Sequence, residues 1–104
     1  MTKKMHLGVV FMNGPTHHTI GEWALPRYLT GYDWTKPVFW QDVARILERG
    51  RFDVVFFADV QSASMNYGGS ADAAVKWGVQ FPVHDPVPLL SYMAAATTHI
   101  GVAA

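Results

Sequence analysis

The stretch RFDVVFFADVQ, Arg51 to Gln61, runs five apolar residues, Val54 to Ala58, straight into the carboxylate of Asp59. A charge at the end of an apolar strand must be solvated, paired or in use. In use, Asp59 would accept hydrogen bonds from the N–H or O–H groups of a ligand at a strand's carboxyl tip. Alternatively it is a turn residue bonding the backbone just after the strand. The adjacent pair His17-His18 has no metal-ligand spacing and no cysteine or carboxylate cluster beside it, so no metal site is expected there. As loop residues, either histidine could line a pocket or move a proton, which makes both catalytic candidates. His84-Asp85 has the look of a catalytic pair, but Asp85 also stands where a helix needs an N-cap. His6 and His99 fall at strand starts and read as structural. Trp23, Tyr28, Trp34, Tyr67 and Trp77 could stack on a planar ligand or seal the top of a fold.

Several chemistries lack their signature. MNGPTHH after the first apolar run is neither GxGxxG nor GxxxxGK[ST], so no phosphate-cradling turn is expected there. There is no GxSxG serine elbow. With no cysteine, thiol chemistry and disulfides are excluded, and a reducing compartment fits.

These residues need a frame. Of 104 residues, 50% are hydrophobic and 15% charged, the composition of one well-buried globular unit, and residues 1–104 read as one domain segment. Eight basic residues balance eight acidic ones, which gives no pull toward nucleic acid or anionic membrane. The start, MTKKMHLGVVFMNGP, is too short and too broken to be a signal peptide, and no run approaches the roughly 18 apolar residues of a membrane span. A soluble, cytoplasmic protein is expected.

Three segments read as strands: Met5 to Met12, Phe52 to Asp59 and His99 to Ala104. The run at Val54 to Ala58 predicts burial on both faces. Two segments read as helices. In PVFWQDVARILERG, the residues Phe39, Val43, Ile46 and Leu47 form an apolar face, Pro37 suits the first turn, and Gly50 fits a left-handed C-terminal cap. In DPVPLLSYMAAATT, Asp85 is the N-cap, Pro86 opens the helix, and Leu89, Leu90, Met93, Ala94 and Thr97 make its buried stripe. The order strand-helix-strand-helix-strand predicts an α/β fold with parallel strands. The helix-to-strand joints are minimal, whereas the strand-to-helix connections, about Asn13 to Lys36 and Val60 to His84, are long and aromatic-rich. Long connections leaving the carboxyl ends of parallel strands mark the working face of such folds, and Asp59 lies on that face.

FMNG, HHTIGEW, FWQDVARILERGRFDVVFFADV and HDPVPLLSYMAAATTHIGVAA together resemble the amino-terminal part of the bacterial luciferase-like flavin monooxygenases. The similarity is greatest to the nitrilotriacetate, dibenzothiophene-sulfone and long-chain-alkane monooxygenase group, over nearly the whole chain. The resemblance implies an N-terminal portion of a (β/α)8 barrel holding reduced FMN at the carboxyl ends of its strands. It implies a separate NADH-dependent flavin reductase as supplier of the flavin, dioxygen and a small organic substrate as reactants, and a homo-oligomeric full-length relative. By position Asp59 matches the flavin-contacting acid after the second strand. His17, Trp23 and Tyr67 fall in loops on the substrate side. Such a barrel needs about 250 residues, so two β/α units and the start of a third are expected to be inactive alone. The alternative reading is a truncated or split piece that completes a barrel with another chain and catalyses nothing.

Overall fold

The computed structural model describes residues 3–15 and 33–104. Its elements in chain order are strand β1 (Gly8–Phe11), a 3-10 turn (Asp33–Thr35), helix α1 (Pro37–Arg49), strand β2 (Val54–Phe57), helix α2 (Asp72–Trp77), helix α3 (Val87–Ala94) and strand β3 (Gly101–Ala103). The strands form one parallel sheet in the order β1-β2-β3, with Phe11 level with Phe57 and Val54 level with Gly101. Sequential parallel neighbours joined through helices are the expected repeat of a barrel wall.

Alternation along the strands decides which face the helices cover. Val55 and Phe57 are fully buried, and with Trp34, Trp40, Ala44, Leu89, Met93 and Ile100 they make the core between the sheet and the α1/α3 layer. The other face is open: Val10 is 44% and Phe56 42% exposed. Burial on both faces was the expectation for this run, and only the helix-facing half of it holds. A parallel strand gains its second cover from strands across a barrel, and nothing among the described residues lies there.

α1 begins with Pro37 in its first turn, where a missing N–H costs nothing. Its apolar face is centred on Trp40 and Ala44, so Phe39, Val43 and Leu47 flank the core while Ile46 is exposed. At its C-terminus Gly50 is not left-handed (φ −73°); Arg51 takes that conformation instead, at φ 63°. Two hydrogen bonds fix the shift by one residue: the Phe52 N–H donates to the Leu47 carbonyl (3.1 Å), and that of Arg51 to Glu48 (3.0 Å). This is the paired closure of a Schellman motif, with Arg51 in the position glycine usually holds.

The predicted second helix is α3. Asp85 Oδ1 accepts the Val87 N–H at 2.9 Å, so Asp85 does cap it. Leu89 and Met93 are buried and Leu90 packs beside them, whereas Ala94 is exposed. The unanticipated α2 lies within the second long connection. Gly78 (φ 61°) ends it, and the Val79 N–H closes back on the Ala74 carbonyl at 2.9 Å. None of these helices is long and apolar enough to cross a membrane.

Candidate site at the carboxyl rim of the sheet

All three strands point their carboxyl ends to one rim, because they are parallel and in register. The ladder continues one step beyond the strands, with the Ala58 N–H donating to the Phe11 carbonyl at 2.8 Å. Asp59 is therefore carried to the rim itself, where it is exposed. Its Oδ1 accepts a hydrogen bond from the Gln61 side-chain amide at 2.7 Å. A carboxylate has about four acceptor positions, so one amide leaves Asp59 able to take an N–H or O–H from a ligand.

Asn13 leaves β1 as Asp59 leaves β2, two residues beyond the Phe11–Phe57 pair. Its carbonyl accepts the His84 N–H at 2.8 Å, and its side-chain Nδ2 donates to the Asp85 carbonyl at 3.4 Å. These bonds bind the start of the first long connection to the end of the second. Gly14 makes the approach possible: a Cβ there would stand 2.9 Å from Val83 Cγ1 and 3.1 Å from the Pro82 carbonyl. Beside this clamp the His84 ring packs on Trp34 with centroids 4.7 Å apart. Asn13, Trp34, His84 and Asp85 share the wall of a 160 Å³ cleft. Asn13 Oδ1 and Trp34 Nε1 are buried there without a hydrogen-bond partner among the described residues. Unmet hydrogen-bonding capacity is thus concentrated at the rim, as expected of a face built for contacts beyond the chain's own backbone.

At the opposite end the acids are met by backbone amides. Glu48 Oε1 accepts the backbone N–H groups of Thr98 (2.8 Å), His99 and Ile100 (3.2 Å), tying the end of α1 to the entry of β3. The His99 and Thr98 amides hold the Glu48 carboxyl below the ordinary glutamate range. Asp53, just before β2, accepts the Leu7 N–H at 2.7 Å and stands 3.4 Å from His6 Nδ1. The Leu7 amide first and His6 second hold its carboxyl below the usual aspartate range. His6 and His99 do sit at this structural end.

Of the other residues singled out from sequence, His17, His18 and Trp23 lie outside the described residues. Tyr67 is 81% exposed and, with Ser64, Asn66 and Trp77, borders an open 430 Å³ cleft over α2. The structure does not join His84 and Asp85 as a catalytic pair, since Asp85 caps α3 and His84 packs on Trp34. No group of three or more histidines and acids stands together to hold a metal among the described residues. Sequence reasoning missed Asn13 and Gln61 as rim residues. Asn-Gly directly after a strand was a turn signal that could have pointed to Asn13.

No protein-family model matches the chain. The chain is 40% identical over 103 residues to the long-chain alkane monooxygenase of Geobacillus thermodenitrificans, covering 99% of the chain and 23% of that protein. It is 37% identical over 101 residues to the dimethyl-sulfide monooxygenase of Hyphomicrobium sulfonivorans, covering 97% of the chain and 21% of that protein. The crystal structure of a long-chain alkane monooxygenase superposes with a TM-score of 0.87 at 39% identity, over 98% of the chain and 23% of its own length. The chain thus spans less than a quarter of the curated relatives it matches, and its open three-stranded sheet is part of a larger barrel wall in them.

Proposed function

Because this chain corresponds to the first β/α units of the luciferase-like monooxygenase group, we propose that it supplies part of the flavin site of an FMN-dependent monooxygenase. Asp59 is the residue assigned to the cofactor. Its exposed carboxylate at the tip of β2, engaged among the described residues by the Gln61 amide, is the observation that carries the reading. The fit is to a polar, hydrogen-bond-donating edge of the flavin. Reduced FMN, when bound, supplies the chemistry that activates dioxygen for insertion of one oxygen atom into a small organic substrate. Asp59 orients that edge, and the Asn13 clamp fixes the rim from which the two long connections rise. Tyr67, and by position Trp23, belong to the substrate side, with His17 and His18 as candidates for proton transfer. A separate NADH-dependent reductase supplies the reduced flavin to a cytoplasmic, homo-oligomeric enzyme, and residues 1–104 form one segment of its barrel domain.

Anaerobic titration of reduced FMN into the chain and into Asp59→Ala tests the assignment. Hydrogen bonds to a charged group contribute about 1.5–3 kcal/mol, so Kd should rise roughly tenfold to a hundredfold. An unchanged Kd would remove Asp59 from the site.

The uncovered sheet face favours a second reading. Val10 and Phe56 stand open on it, and β1 and β3 have unpaired outer edges among the described residues. Such edges invite further strands. A non-catalytic piece that completes a barrel with another chain would use them directly. Gel filtration with a chain carrying the later strands of a relative distinguishes the two: a stable complex without flavin-dependent oxygenation supports the second reading, and turnover supports the first.

A further inference from the structure

We propose that Asn13 is a site of spontaneous deamidation, gated by the clamp that holds it and unlocking that clamp once it occurs. The inference needs no flavin and stands apart from the monooxygenase reading. The chain has two asparagines, Asn13 and Asn66. Deamidation begins when the backbone nitrogen of the next residue attacks the side-chain carbonyl carbon, so the bulk of that next residue governs the intrinsic rate. Asn13 is followed by Gly14, which has no side chain to hinder the attack, whereas Asn66 is followed by Tyr67. Among the described residues no hydrogen bond engages the Gly14 N–H, so the nucleophile is not held elsewhere.

The fold restrains the electrophile instead. Asn13 is 6% exposed, and its backbone carbonyl accepts the His84 N–H at 2.8 Å. Swinging the Gly14 nitrogen onto Cγ requires rotation about the bond from the Asn13 Cα to that carbonyl carbon, which the hydrogen bond from His84 opposes. The side chain is tethered too, with Nδ2 donating to the Asp85 carbonyl at 3.4 Å. Asn13 Oδ1 has no donor among the described residues, so the oxyanion formed during attack finds no stabilisation while the clamp is shut. Reaction therefore proceeds from the opened clamp. The bond between the Gly14 nitrogen and Cγ forms, the Cγ–Nδ2 bond breaks and ammonia leaves. Water then opens the cyclic imide at either carbonyl, giving aspartate or isoaspartate with no change of oxidation state. Either product loses the Nδ2 donor to Asp85 and sets a carboxylate in a buried site that held a neutral amide. Isoaspartate also lengthens the main chain by a methylene where space is short, since a Cβ on Gly14 would stand 2.9 Å from Val83 Cγ1. The clamp between the two long connections does not reclose in its original form, so the change runs one way.

The full chain is incubated at mildly alkaline pH, in native buffer and in urea, and followed by peptide mapping with electron-transfer fragmentation, which separates aspartate from isoaspartate. Asn13 should convert to both acids while Asn66 stays an amide. Two hydrogen bonds holding the clamp shut correspond to roughly a hundredfold, about 2.7 kcal/mol, so native conversion should be slower than conversion in urea by about that factor. His84→Pro removes the donor to the Asn13 carbonyl and should speed native conversion about tenfold. Asn13→Asp reproduces one product and should raise the hydrogen-exchange rate of the His84 amide about tenfold or more. Circular dichroism checks that both variants fold; should His84→Pro not fold, the urea comparison and Asn13→Asp carry the test. Equal rates in native buffer and urea, conversion of Asn66 ahead of Asn13, or unchanged His84 exchange in Asn13→Asp would overturn the proposal. So would a native Asn13 still amidated after about a thousand half-times of the unfolded chain.

Discussion

Replacing Trp40 with Phe would remove the indole N–H that joins α1 to the turn before it. Trp40 is 3% exposed, and its Nε1 donates to the Trp34 carbonyl at 2.7 Å in the interior. Its ring stands edge-on to Phe11, Phe39 and Phe57, with centroids 5.6, 5.1 and 4.9 Å away. Phenylalanine keeps most of those contacts but leaves the Trp34 carbonyl buried without its donor, which costs about 1–3 kcal/mol. The smaller ring also leaves about 40 Å³ empty, worth ~1 kcal/mol at about 24 cal/mol per Å³. Together the loss is about 2–4 kcal/mol. With a urea m-value near 2 kcal/mol per M, the unfolding midpoint should fall by about 1–2 M, followed by far-ultraviolet circular dichroism. Trp77→Phe is the matched control: Trp77 is 54% exposed on α2, and its replacement should stay within about 0.5 kcal/mol. A Trp40→Phe midpoint within about 0.3 M of wild type, at unchanged m, would refute the claim that this bond organises the entry to α1.

Other consequences follow from the structural end of the sheet and from the end of α1. Glu48 and Asp53 have folded-state carboxyls held low by backbone amides, so each stabilises the fold above its ordinary range and loses that contribution as pH falls through the depressed value. Urea midpoints should therefore drop between neutral and strongly acid pH, and Glu48→Gln should flatten that dependence; an unchanged slope would show that the amides bind the neutral form equally well. Arg51 holds a left-handed backbone at φ 63°, so Arg51→Gly should raise stability by about 0.5–1 kcal/mol and Arg51→Val should lower it by more than 1 kcal/mol. Thermal melts of the two variants should move in opposite directions.

What the sequence revealed depended on how far each signal travels. The strand order and the parallel sheet follow from the alternation of long apolar runs with helices, a pattern carried by many residues at once. Pro37 and Asp85 marked their helix starts because their effects are confined to one turn. The apolar stripe of α1 was legible but slightly rotated. Ile46 belongs to it by spacing, yet the core contact runs through Trp40 and Ala44, because the sheet offers the gap that an indole fills. The exchange of roles between Gly50 and Arg51 rests on two backbone hydrogen bonds, which no residue preference specifies. α2 escaped because it is only 6 residues long and too short to show a period. Phe56 was expected inside, since a strand's composition reports what both its faces require and not which is covered.

Asp53 and Asp59 stand at the two ends of one strand and show how the rim differs from the base. Both are exposed carboxylates, and their residue type alone assigns neither a role. Asp53 accepts the Leu7 N–H and lies beside His6, so it is engaged by the chain's own entry into β1 and β2. Glu48 does the same for β3 with three consecutive amides. At the other end, among the described residues, Asp59 is met by the side-chain amide of a glutamine two residues away. A carboxylate satisfied by backbone amides stabilises the fold and is costly to redirect. One met by a single exposed side-chain amide can exchange that partner for a ligand's N–H without disturbing the backbone. Minimal helix-to-strand joints bring backbone donors to Glu48 and Asp53 at one pole, whereas among the described residues Asp59 at the other takes a side-chain donor.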